Sequence, residues 1–141
     1  MLAVVLGVAA LTGCGDDRFV LAPVSGVVTF EGIPLSSARI TFEPTGQRAG
    51  HLAGPGSFAI TDGNGRFRLQ TVMGEDGAVV GRHRVTIRAF RNSTDGLDMN
   101  IDNAESKEIV PAQYNDESTL TFEVVPDTEN IATFELTSKP S

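Results

Sequence analysis

Cysteine and histidine, two residue types that often act in catalysis, are scarce in this chain of 141 residues. There is one cysteine, and His51 and His83 are the only candidates for a general base. Nucleophilic catalysis needs a Ser or Cys activated by a neighbouring base, and the sequence contains no Gly-x-Ser-x-Gly turn to present such a serine. His83 has the same parity as Val85 and Ile87, which favours a packed histidine at the entry of a strand. The sequence therefore predicts no catalytic site and no enzyme activity.

Two segments carry oxygen-bearing side chains at the spacing of metal ligands. Three of them match positions 1, 3 and 5 of a calcium-binding loop: Asp98, Asn100 and Asp102. That loop has Asn103 where the motif requires glycine and Ile109 where it requires a bidentate glutamate. The second segment, residues 62–65, reads Asp-Gly-Asn-Gly and favours a tight hairpin over a metal site. We therefore predict no metal and no cofactor, with weak calcium binding by the first loop as an alternative.

Arginine is concentrated in the middle of the chain. Six of the 11 basic residues fall between positions 66 and 91: Arg66, Arg68, Arg82, Arg84, Arg88 and Arg91. On a strand, Arg82, Arg84 and Arg88 project from one face, where they form a candidate site for anionic glycans or phospholipid headgroups. The alternative is a solvated face whose arginines pair with Glu123 or Glu135 across strands.

Length and charge narrow the class of protein. The chain is long enough for one domain with a leader, and 18 acidic against 11 basic side chains give a net charge of −7. This balance argues against a nucleic-acid partner. The apolar run at residues 2–11 is shorter than the ~20 residues needed to span a bilayer and is typical of a signal-peptide core.

From Val24 onward the apolar residues recur with a period of two, which is typical of half-buried strands. Seven runs show this pattern, and the residues predicted to face inward are Val24, Gly26, Val28 and Phe30; Ala38, Ile40 and Phe42; Phe58 and Ile60; Phe67 and Leu69; Val85, Ile87 and Ala89; Leu120, Phe122 and Val124; and Ala132, Phe134 and Leu136. Glycine and proline, 15 and 7 residues, punctuate the chain at the spacing of an all-β sandwich. We predict that phenylalanines dominate a core between two sheets.

The only cysteine lies three residues after the end of the apolar run. The segment Leu11-Thr12-Gly13-Cys14 resembles the lipobox of bacterial lipoproteins. The resemblance implies that the Cys14 sulfur receives a diacylglyceryl group and that the signal peptide is cut before this residue. Residues 15–18 are polar, as expected for a flexible tether. The alternative is a buried N-terminal strand with an incidental cysteine.

Three segments together resemble the carboxypeptidase regulatory-like domain: residues 26–35, residues 38–42 and residues 61–67. A later stretch, residues 77–87, matches the Gly-x-(Tyr/His)-x-Val strand entry of that family. The resemblance covers about residues 23–138 and implies a transthyretin-like (prealbumin-like) sandwich without catalytic residues. Transthyretin-like hydroxyisourate hydrolases end in Tyr-Arg-Gly-Ser, whereas this chain ends in Leu-Thr-Ser-Lys-Pro-Ser, so their activity does not transfer.

These expectations define an organisation and a role. Residues 1–13 are predicted as a signal peptide, 14–22 as lipidated Cys14 and tether, 23–138 as a seven-stranded antiparallel Greek-key β-sandwich, and 139–141 as a tail. The predicted protein is a non-catalytic lipoprotein of the cell envelope, anchored in the membrane by its lipid and facing the periplasm or the exterior. It acts structurally or binds an envelope protein or glycan. The alternative is a carrier of a small molecule or of calcium.

Overall fold

The computed structural model describes residues 19–45, 54–92 and 106–139, and these residues form an all-β fold. Apart from strands, the described residues contain one short 3₁₀ helix, Ala112–Tyr114. No helix in these ranges has the length and apolar character needed to cross a membrane.

The strands are numbered in chain order. They are β1 Leu21–Ala22, β2 Val24–Phe30, β3 Ile33–Pro34, β4 Arg39–Pro44, β5 Ser57–Ile60, β6 Arg66–Arg68, β7 Gln70–Thr71, β8 Ala78–Val79, β9 Gly81–Arg88, β10 Phe90–Asn92, β11 Ser106–Glu108, β12 Thr121–Val124 and β13 Asn130–Leu136. The seven predicted strands correspond to β2, β4, β5, β6, β9, β12 and β13. The other six have two or three residues each, too few to show a period.

The larger sheet has five strands in the order β12-β9-β4-β5-β7, and all neighbours are antiparallel. The chain changes sheet at Leu69, because β6 pairs with β2 in the other sheet whereas β7 pairs with β5. Two short pairs flank the sheets: β1 with β8, and β10 with β11. The pairing of β1 places Leu21 and Ala22, which were predicted as tether, within the fold.

The smaller sheet is built around β2, which pairs with β13 on one side and with β3 and β6 on the other. β13 runs parallel to β2, so the antiparallel prediction is wrong for this pair. Period-two patterning assigns residues to faces and does not set strand direction, which is why the sequence did not reveal it. A β-carbon at Gly26 would lie 1.7 Å from the Ala132 carbonyl oxygen, so the close approach of β13 requires glycine here.

The core lies between the two sheets and contains most of the residues predicted to face inward. Phe42, Phe67 and Phe134 are buried, and Phe30 and Phe122 are half-buried against them. The Phe42 ring centroid lies 5.6 Å from that of Phe122 in its own sheet and 6.3 Å from that of Phe134 in the other. Aromatic contacts of this kind join the sheets face to face.

The predicted faces of β5 are reversed. Ser57 and Ala59 are buried, whereas Ile60 is 55% exposed and Phe58 lies on the outer face beneath the Arg39 guanidinium, 4.8 Å from its ring centroid. Residues directly opposite in an antiparallel pair share a face, and β4 places its large inward residues opposite Ser57 and Ala59. The core therefore accepts only small side chains on β5, and the bulky Phe58 is excluded.

Truncation of Phe42 should destabilise the fold far more than truncation of Phe58. Phe42→Ala removes a fully buried ring that joins the sheets and should cost ~3–5 kcal/mol. Phe58→Ala loses only an outer ring and its contact with Arg39, and should cost about 1 kcal/mol or less. Urea denaturation of both variants measures the difference. Equal losses would show that β5 has the orientation predicted from the sequence.

Candidate functional site

His83, on β9, is fully buried and serves the fold. Its Nε2 lies 2.6 Å from the Val79 carbonyl oxygen, and because a carbonyl only accepts, Nε2 is assigned as the protonated nitrogen. The ring centroid of Phe42 lies 5.5 Å away. Burial lowers the pKa of His83, although the hydrogen bond to Val79 opposes this shift. The prediction of a packed histidine at a strand entry is confirmed.

Asp62 closes the turn between β5 and β6. The backbone N–H groups of Arg66 and Asn64 donate to Asp62 Oδ1 at 3.0 and 2.9 Å. These two bonds lower the pKa of Asp62. Gly65 has a φ of 73°, and a side chain there would meet the Val28 carbonyl oxygen. The predicted tight turn is confirmed, but the predicted hairpin is wrong, because β5 pairs with β4 and β7 whereas β6 pairs with β2 in the other sheet.

Arg82, Arg84 and Arg88 form a row on the outer face of β9, which we call the arginine row. Each of the three has a carboxylate partner, but the partners come from different parts of the chain. Arg82 Nε lies 3.8 Å from Glu123 Oε2 on β12, and both side chains are well exposed. An exposed pair of this kind contributes little to stability.

Arg84 holds a loop against the sheet. Its Nε donates to the Ser118 carbonyl at 3.2 Å, and one terminal nitrogen donates to the carbonyls of Asn115 and Asp116 at 3.2 and 3.4 Å. The other terminal nitrogen lies 3.7 Å from Glu43 on β4. Three carbonyls converge on one guanidinium, which only the forked donor geometry of arginine satisfies.

The same loop is fixed from within by Asn115. This buried side chain donates through Nδ2 to the carbonyl oxygens of Val110 and Pro111, both at 3.2 Å. Asn115 cannot be identified from periodicity, because residues of an irregular loop follow no period. The pair Asn115-Asp116 is the local signal of a turn, since both residue types favour turns.

Arg88 completes the arginine row with two acidic partners. It forms an ion pair and hydrogen bond with Asp116, and its second terminal nitrogen lies 3.7 Å from Glu108 Oε2 on β11. The bond to Asp116 raises the pKa of Arg88. Pairing with Glu123 agrees with the predicted alternative of a paired face. Pairing with Glu135 is wrong, because Glu135 lies on β13 in the other sheet. Binding of an anionic ligand by the row stays a prediction.

Several predicted positions lie outside the described residues: Cys14, His51 and the calcium-like residues Asp98, Asn100, Asp102 and Asn103. Within the described ranges, no group of three or more His, Cys, Asp or Glu side chains is arranged to hold a metal ion.

Comparison with known proteins identified no relative. The chain matches no family model, no curated protein and no solved structure. Its function is proposed below from its own residues and their geometry.

Replacing arginine by lysine should separate the roles of Arg84 and Arg82. Lysine keeps the charge but cannot reach three carbonyls at once, so Arg84→Lys should lower the free energy of unfolding by ~1–3 kcal/mol. Arg82→Lys, the matched control, should change it by no more than about 0.5 kcal/mol. Urea denaturation measures both. A similar small effect of both substitutions would mean that Arg84 does not fix the loop.

Acid should destabilise the fold through His83. In the unfolded chain this imidazole binds a proton near its ordinary pKa of 6.5, whereas the buried ring does so only at lower pH. Lowering the pH from about 7.5 to about 5.5 therefore favours the unfolded state, and the free energy of unfolding falls. Urea denaturation at both pH values measures the fall in the free energy of unfolding, and His83→Gln should reduce that fall. An NMR titration of His83 at or above pH 6.5 would contradict this.

Proposed function

We propose that the chain is an exported lipoprotein, held at a membrane of the cell envelope by a diacylglyceryl group on Cys14 and facing the periplasm or the exterior. The lipobox-like segment Leu11–Cys14, placed directly after a short apolar run, supports this proposal. So does the absence of any other cysteine from the sequence, which leaves a single thiol as the acceptor.

We further propose that the folded part is a seven-stranded Greek-key sandwich of the carboxypeptidase regulatory-like kind. Supporting this, each of the seven predicted strand segments is a strand, and these strands lie in two sheets joined through Phe42 and Phe134. The segment from Gly26 to Pro34 forms β2 and β3, and Asp62 to Gly65 form the turn before β6. Both are segments that carry the family resemblance.

The role we propose is structural or binding, and it is non-catalytic. The observation that carries it is the short distance along the chain from Cys14 to β1. These seven residues span at most ~25 Å when fully extended, so a lipid on Cys14 keeps the fold close to the bilayer. Anchoring at such a distance raises the effective concentration of the fold for a neighbouring protein or glycan.

The polar side chains that most resemble catalytic groups form hydrogen bonds that stabilise the fold, which fits a non-catalytic role. His83 donates to Val79, Asp62 accepts from two turn amides, and Arg84 holds the loop that contains Asn115.

Substitution of Cys14 tests the anchor. Cys14→Ser should move the protein from the membrane fraction to the soluble fraction, because each buried CH₂ of the acyl chains contributes ~0.8 kcal/mol to anchoring. Thr12→Ala, the matched control, keeps a small residue two positions before the cysteine and should leave the protein in the membrane fraction. Mass spectrometry of the wild type should show a lipid-modified N-terminal Cys14. An unmodified Cys14, or a membrane-bound Cys14→Ser variant, would overturn the proposed anchor.

A further inference from the structure

The outer edge of β13 carries backbone groups that pair with nothing in the described residues. β13 is hydrogen-bonded to β2 alone, at the margin of the smaller sheet. Asn130 donates to the Pro23 carbonyl at 2.9 Å and Leu136 accepts from the Glu31 N–H at 2.9 Å, so the even-numbered residues direct their backbone toward β2. The backbone groups of Ile131, Thr133 and Glu135 therefore point away from the sheet.

Glu135 is the only feature of this edge that usually protects a free strand. Natural edge strands are short, bulged, or guarded by lysine or proline. β13 is seven residues long, contains neither lysine nor proline, and pairs with β2 without interruption from Asn130 to Leu136. The other strands at the margins of the two main sheets are shorter: four residues in β12, two in β7 and two in β3. β13 is thus the longest free edge among the described strands.

The exposed side chains of β13 determine which side chains a paired strand needs. Ile131 is 64% exposed, and Thr133 and Glu135 are also exposed. Glu135 has no hydrogen bond or ion pair with any described residue. The edge is therefore acidic near Glu135 and apolar at Ile131. A complementary strand places a basic side chain beside Glu135 and an apolar one beside Ile131.

A second copy of this chain fits the edge poorly. Two β13 strands paired antiparallel about Thr133 would set Ile131 against Glu135 twice, and each copy has a net charge of −7.

We propose that β13 binds an extended, basic segment of another protein by strand addition. The N–H and C=O groups of Ile131, Thr133 and Glu135 form the ladder, and Glu135 selects a basic side chain. This inference rests on the proposed binding role and names the partner's chemistry, but it does not depend on the lipid at Cys14.

A labelled peptide tests the proposal on the full chain. The probe is a capped peptide of about eight residues in which lysine and valine alternate, and its control has glutamate in place of lysine. We expect the lysine peptide to bind and the glutamate peptide not to bind, as measured by fluorescence anisotropy at low salt. In hydrogen exchange, the peptide should slow the amides of Ile131, Thr133 and Glu135, which exchange fast in its absence.

Matched variants identify the edge as the binding surface. Thr133→Pro removes an N–H that β2 does not use, so it should weaken binding at least tenfold while the fold persists, and Thr133→Ala should bind as the wild type does. Glu135→Lys should also weaken binding tenfold. Glu75→Lys, which makes the same charge change in the turn after β7, should not.

Two results would contradict strand addition at β13. Peptide binding that survives Thr133→Pro, or that Glu75→Lys weakens as much as Glu135→Lys, overturns strand addition in favour of general attraction to an acidic protein. If these edge amides exchange slowly without peptide, the edge is already occupied by another part of the chain or by a second copy, and the proposal is wrong. Sedimentation distinguishes these two cases by showing whether the protein is a monomer or a dimer. Because binding is read in solution, its failure is separate from a failure of the membrane anchor.

Discussion

The ring of Phe42 stands between the two sheets and decides what the neighbouring strands can place on the inner face. It meets Phe134 across the core, and Phe122 and His83 within its own sheet. Little volume is left opposite it on β5, where Ser57 and Ala59 face inward. The outward position of Phe58, the burial of a neutral histidine and the joining of the sheets all follow from this packing.

Alternation along single strands was enough to predict most of the core. It located Ile40, Val85 and Phe134 correctly because each strand places one consistently apolar face inward. It failed at Phe58 because the choice of face depends on the partner strand, which a single sequence does not show. The parallel direction of β13 could not be predicted for the same reason, since it depends on β2 at the other end of the fold. The hydrogen bond from Asn115 to the Ile87 carbonyl also joins residues that are distant in sequence.

The residues that suggested chemistry turn out to hold the fold together. His83 and Asp62 were expected to be structural, and both form the hydrogen bonds of such residues. Arg84 was predicted to bind a ligand, but its N–H groups donate to three backbone carbonyls. The sequence could not show that Glu43 and the loop after Pro111 lie beside it.

The pairing of β2 with β13 has a consequence for the order of folding. These strands stand near opposite ends of the chain, Val24 opposite Asn130 and Phe30 opposite Leu136. Loop closure over so many residues is slow, and the core lacks Ala132 and Phe134 until β13 has been synthesised. The core therefore stays incomplete until β13 is present.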